Sequence, residues 1–120
     1  MRTVTTMELA VSRQSVHGVP VVAVSGEVDV YSAPKLSENL NQLLDAGTAT
    51  IVVDLTEVAF LDSTGLGALI AARTATDKLG GSLPVVCTQD RILKLFTITG
   101  LDDVFSIFPT VDEAVTATNR

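Results

Sequence analysis

The chain has 120 residues, 47% of them hydrophobic and 18% charged, a composition that is globular rather than disordered and long enough for one domain with its own core. Its net charge of −6 argues against non-specific nucleic-acid binding and against an anionic membrane surface, both of which draw on Lys and Arg. A single cysteine excludes an internal disulfide and a Cys-rich metal site, and no apolar run approaches the ~20 residues of a membrane-spanning helix.

Residues 1–6 read as a loose polar end without the apolar core of a signal peptide, so a cytoplasmic location is expected. Met7 to Arg13 alternates apolar and polar, with Met7, Leu9 and Val11 on one side, as a half-buried strand does. Gln14 to Gly18 reads as a turn. Val19 to Ser25 is apolar and β-branched, a second strand antiparallel to the first, and Pro20 is tolerable only at its start or on an edge. Gly26 to Tyr31 leads out of that strand. Ser32 is expected to cap a helix with Pro34 in its first turn. Leu36, Leu40, Leu43 and Leu44 mark one face of that helix, and Gly47 ends it.

Thr50 to Leu55 is a β-branched run suited to a central strand. Leu66, Leu69, Ile70 and Arg73 mark a second helix running to about Leu79, where Gly80 and Gly81 stop it. Leu83 to Cys87, with Pro84 near its start, is another strand. Asp90 is expected to cap a third helix carrying Ile92, Leu93, Leu95 and Phe96, ended by Thr99 and Gly100. Val104 to Phe108 is a short extended piece. Thr110 and Glu113 have capping-box spacing before a last helix, Val111 to about Thr118, that covers the core with Val111, Ala114 and Val115. The order β-β-α-β-α-β-α-β-α implies an α/β fold: a mixed, mostly parallel sheet with an antiparallel N-terminal edge and about four helices packed on it.

The stretch from Val53 to Gly67 carries the chemistry. It begins as a buried strand and ends in the first turn of a helix, with Asp62, Ser63 and Thr64 between. Ser and Asp favour helix N-caps because a side-chain oxygen accepts a free backbone N–H. Gly65 and Gly67 follow at positions where glycine costs ~1 kcal/mol against alanine, as though something must approach the backbone. A hydroxyl here is exposed at the positive end of a helix dipole, where an anion is tolerated. Taken alone, an Asp-Ser-Thr turn before a helix is only an N-cap.

Phe60-Leu61-Asp62-Ser63-Thr64-Gly65-Leu66-Gly67 resembles the signature of the anti-anti-sigma factors, single-domain members of the STAS family. Gly26 to Pro34 is similar to the family's second motif, and Gln89 to Leu101 to its third-helix pattern. The likeness spans roughly residues 7–118, read as one STAS domain, and the motif wording is also similar to actinobacterial regulators of development or stress. The resemblance implies that the unphosphorylated chain binds an anti-sigma factor that is also a serine kinase, and so releases a sigma factor. It implies that phosphorylation of Ser63 abolishes binding, and that a metal-dependent serine phosphatase reverses it. Partner contacts are then expected at Asp29, Tyr31, Ser32, Asp62, Ser63, Thr64, Gly65, Leu66 and Gly67. The chain is expected to be substrate and ligand rather than enzyme, a monomer, with no cofactor or metal and no nucleic-acid or membrane partner. A non-catalytic scaffold subunit of a larger signalling assembly, or a free-standing relative of transporter regulatory domains, is the alternative within the family.

Outside the central motif the readings are plainer. Asp29 is either a partner contact or an idle loop carboxylate, and Tyr31 either an interface anchor or a lid on the core. His17 reads as a solvated turn residue and Cys87 as a small apolar strand residue with an open question of redox sensitivity. Arg73, Asp77 and Lys78 read as the wet face of the second helix, and Arg91 and Lys94 as that of the third. A serine hydrolase needs a base beside its serine, but the only His lies in a distant turn, and the chain has neither a Gly-x-Ser-x-Gly elbow nor a glycine-rich phosphate loop with its Lys. A receiver-type aspartate acceptor would place Asp54 at a strand end, but the first strand has no acidic pair after it.

Overall fold

The computed structural model describes residues 8–119; the expected loose end at residues 1–6 and the strand position of Met7 lie outside them. A five-stranded sheet in the order β1-β2-β3-β4-β5 carries four α-helices. In chain order these are β1 (Ala10–Val16), β2 (Val19–Val28), α1 (Ala33–Asp45), β3 (Val52–Leu61), α2 (Ser63–Lys78), β4 (Val85–Val86), α3 (Asp90–Ile98), β5 (Ile107–Phe108) and α4 (Val111–Thr118), with a 3-10 turn at Leu101–Asp103. β1 pairs antiparallel with β2 and every later pairing is parallel.

Strand periodicity divides the core. Val22, Val53 and Val85 face one side, where Leu36 and Leu40 of α1, Leu66, Leu69 and Ala72 of α2, and Ile92 and Phe96 of α3 pack on them. Their neighbours Val21, Val52 and Val86 face the other side, covered by Ala114 and Val115 of α4. Alternate residues of a strand point to opposite faces, so a parallel sheet covered on both sides must be apolar at consecutive positions.

The elements differ from the sequence expectations where local backbone chemistry intervenes. β1 continues to Val16, and the hairpin turn contracts to His17 and Gly18, whose φ angles of 49° and 80° are both positive, as a two-residue type I′ turn requires. β2 runs on to Val28 through Gly26, whose φ of 87° accompanies a register shift against β3. β3 does not stop at Leu55 but extends to Leu61, with one extra residue taken up at each of two irregularities opposite Ala23–Ser25 and Gly26–Glu27. β4 is shorter than Leu83–Cys87, because Pro84 has no N–H to donate and the chain enters α3 four residues after Val86.

Two expected caps are corrected. Ser32 stands at the N-cap position of α1 but its side chain makes no cap hydrogen bond. Asp90 is already inside α3; Gln89 is the N-cap residue, also without a side-chain cap bond. Asp90 instead puts negative charge into the first turn. Ile70, expected on the buried face of α2, is exposed; the buried stripe runs Leu66, Leu69, Ala72 and Thr76. Thr110 does cap α4, its side chain accepting the Glu113 N–H at 3.1 Å.

Candidate functional site

β2 and β3 pair in parallel out to Val28 opposite Leu61. The segments that follow them, Asp29–Ser32 and Asp62–Ser63, therefore leave the sheet side by side, joined by the Asp62 N–H donating to the Val28 carbonyl at 3.2 Å. This is the C-terminal end of the parallel strands, where ligand sites of open α/β sheets gather.

The first segment is tied to itself. Asp29 Oδ1 accepts the N–H groups of Tyr31 and Ser32, each at 3.0 Å. Ser32 Oγ accepts the Asp29 N–H at 2.9 Å and donates to the Glu27 carbonyl at 2.9 Å. Asp29 and Ser32, expected as partner contacts, are half-buried and hold the loop's shape. The Asp29 carboxyl lies below its ordinary value, chiefly because the Ser32 N–H bonds the carboxylate, with desolvation opposing and the Tyr31 N–H adding to the shift. The loop in turn presents Tyr31, which is 91% exposed and so is no lid on the core, and Val30 beside it.

The second segment has the cap its sequence promises. Asp62, in extended conformation, accepts the Gly65 N–H at 3.1 Å and opens α2. Ser63 and Thr64 are the first two helical residues, and both are exposed. Their N–H groups belong to the set that a helix start leaves without an intrahelical partner.

The glycines separate into two roles. Gly65 is buried, and a Cβ there would lie 2.4 Å from Leu61 Cδ1 and 2.7 Å from Val28 Cγ1. It is glycine so that α2 can lie against β2 and β3, not so that a partner can approach. Leu66 is likewise turned into the core. Of the stretch Asp62–Gly67, the outward surface therefore consists of Ser63, Thr64 and Gly67, with Asp62 half-buried. A Cβ at Gly67 would meet nothing within 4 Å.

Three residues of this region escape a sequence reading. Val30 and Phe60 are exposed apolar side chains at the same end of the sheet, where alternation alone gives no reason to leave them uncovered. Gln89 is the third. Beyond Asp54, β3 has no β4 residue in register with it, and the Gln89 side-chain amide takes the place of a strand. Its Nε2 donates to the carbonyls of Leu55 at 3.1 Å and Val58 at 2.9 Å, and also to that of Thr56. The irregular half of β3 that leads to Ser63 is thus pinned from the start of α3. Only the Gln at the head of the third-helix pattern hinted at this.

The rival chemistries find little here. His17 lies in the turn before β2, at the opposite end of that strand from Ser63, so no imidazole stands beside the hydroxyl. Asp54 is in mid-strand rather than at a strand end, and its Oδ1 accepts the N–H and hydroxyl of Thr56. Cys87 is buried, its thiol pushed up by desolvation, its Sγ 3.5 Å from Gln89 Oε1.

Comparison with known proteins points the same way. The family model for the STAS domain matches residues 10–114. An anti-sigma-B factor antagonist of Bacillus subtilis is 43% identical over 86 residues, covering 72% of this chain and 78% of that protein. One from Staphylococcus aureus is 41% identical over 86 residues, covering 72% and 80%. The crystal structure of an anti-sigma factor antagonist from Mycobacterium paratuberculosis superposes with a TM-score of 0.84 at 34% identity, covering 94% of this chain and 96% of that one.

Proposed function

This chain belongs to the STAS domain family, and from that premise we propose that it is an anti-sigma factor antagonist switched by phosphorylation of Ser63. The unphosphorylated form binds an anti-sigma factor with serine kinase activity and thereby frees a sigma factor. Phosphorylation of Ser63 by that kinase ends the complex, and a metal-dependent serine phosphatase restores it. The chain is the ligand and the substrate in this cycle, working in the cytoplasm as a monomer.

The observation that carries this reading is the position of Ser63: exposed, first in α2, directly after the Asp62 cap, at the end of the paired strands where Val30, Tyr31 and Phe60 are left uncovered. An apolar patch beside a modifiable hydroxyl suits a protein partner whose binding a charge can cancel. A phosphate adds about −1.5 to −2 charge at neutral pH. Within the free fold it meets the Ser63 and Thr64 N–H groups and the positive end of the α2 dipole. In a packed interface the same charge is desolvated beside the Asp62 carboxylate, and an unpaired buried charge costs several kcal/mol. Each ~1.4 kcal/mol is a factor of ten in affinity.

The test is a capture from native cell extract with wild type, Ser63→Ala and Ser63→Asp, the retained proteins identified by mass spectrometry. Wild type and Ser63→Ala should hold a kinase-fold anti-sigma factor that Ser63→Asp loses. Equal retention by all three would leave Ser63 as a helix start only, and would favour the scaffold alternative.

A further inference from the structure

We infer that the groove between α1 and α2 docks a basic segment of the anti-sigma partner, an inference that rests on the function just proposed. The groove has a volume of about 580 Å³ and runs the length of α1, from Ala33 to Asp45. Twelve residues of rise along a helix make about 18 Å, a trough suited to a stretch of polypeptide rather than to a small molecule. At one end it is lined by Thr64, the neighbour of Ser63, so it continues the surface that Ser63 controls.

Its chemistry selects the occupant. Ala33, Pro34 and Ala68 give small apolar surface that lets another backbone come close. Glu38 and Asp45 are the charged residues of the lining, both exposed; the cation at its edge is Arg13 of β1, whose guanidinium is already engaged, donating to Gln42 Oε1 at 2.9 Å. They are seven residues apart on α1, hence on one face and about 10.5 Å apart along its axis. A segment with two Lys or Arg side chains two helical turns apart matches that spacing, with its apolar side on the alanines and proline. A second copy of this chain does not match: it carries the same net charge of −6 and would meet the groove with repulsion.

The test uses the anti-sigma factor that wild type retains, purified and titrated at low and high salt against four full-length chains. These are wild type, Glu38→Lys/Asp45→Lys, Glu38→Gln/Asp45→Asn and Ala68→Leu. The charge reversal should weaken binding about tenfold or more at low salt and flatten the salt dependence, with the neutral pair in between. Ala68→Leu, which fills the floor without touching a charge, should also weaken binding. Glu38 and Asp45 are both exposed on α1, so unchanged circular dichroism is expected for the charge variants. Wild-type affinity and salt slope in the reversal and in Ala68→Leu would overturn the groove while Ser63→Asp still loses the partner and the switch stands. If wild type retains no anti-sigma factor, the switch fails and the groove with it. A wild-type dimer that the reversal dissociates would assign the groove to a second copy and overturn the basic-segment proposal.

Discussion

Gly65 and Gly67 sit two residues apart in one helix, yet replacing each by alanine should move stability in opposite directions. At Gly65 the new Cβ lies 2.4 Å from Leu61 Cδ1 and 2.7 Å from Val28 Cγ1, both well inside the ~3.5–4 Å of an ordinary carbon contact. Val28 and Leu61 are 0% and 4% exposed, so neither can swing into solvent to make room. Overpacking of this kind costs about 1–3 kcal/mol, against which alanine's better helix propensity returns ~1 kcal/mol at most. The net loss should be roughly 1 kcal/mol, the middle of the ~0–2 kcal/mol that these ranges leave, a drop of about 4 °C in melting temperature for a 120-residue domain. At Gly67 nothing lies within 4 Å, and alanine should stabilise by about 0.4–1 kcal/mol. Urea titration followed by circular dichroism measures both, since the chain has no Trp to report by fluorescence. Gly65→Ala equal to wild type, or Gly67→Ala less stable than it, would refute the division. The fold does not need Gly67, and on the function proposed above its open face next to Ser63 meets the partner. Gly67→Ala should accordingly be the more stable protein and the weaker ligand for the anti-sigma factor.

Gln89→Ala removes the donor to the carbonyls of Leu55, Thr56 and Val58, and should cost about 1–3 kcal/mol in urea unfolding, with faster amide exchange at Val58–Leu61 before the rest of the sheet. Asp29 titrates below its ordinary value because Ser32 and Tyr31 N–H groups bond the carboxylate. Its contribution to stability is therefore complete above the unfolded-state value near ~3.9 and is lost as pH falls through the lower folded-state value. An NMR titration should find the Asp29 midpoint below that of an unstructured peptide; equality would remove the bonds. Cys87, buried with its thiol pushed up, should react with thiol reagents far more slowly in the native protein than in urea, and prompt native labelling would reopen a redox role. Ser63→Asp should melt close to wild type, because the first position of α2 is exposed and favours negative charge; a large loss of stability would mean that the switch acts by unfolding.

The topology was legible because it rests on periodicity. Runs such as Val21-Val22 and Val52-Val53 fit a sheet covered on both faces, and leucine spacing defined α1. The Asp62-Ser63-Thr64 turn was legible as an N-cap because the cap and its partner lie in one chain segment; the structure assigns the cap to Asp62, bonded to Gly65 three residues on. Ser32 looked identical in kind but is drawn back to Glu27 and Asp29 by hydrogen bonds that the cap rule does not weigh. The role of Gly65 was invisible for a related reason. Its need comes from Leu61 and Val28, and Val28 reaches it only once β2 and β3 have paired. Gln89 is the extreme case, since its acceptors are 31 to 34 residues away, on a strand whose irregular register no local pattern announces.

These long-range ties explain how one hydroxyl could serve as a switch without the fold taking part. Ser63 stands on a base fixed from three sides. The Asp62 N–H is bonded to Val28, the Asp62 carboxylate to Gly65, and the approaching strand to Gln89. Behind it, Gly65 and Leu66 lock the first turn of α2 onto the sheet. On the function proposed above, a phosphate on Ser63 would act on this tied-down base, and its free energy would be expressed where the surface meets the partner rather than inside the domain. A bistable loop would divide that energy between rearranging itself and repelling the partner. A rigid one leaves the whole of a buried charge's several kcal/mol for repulsion, which is hundreds-fold or more in affinity.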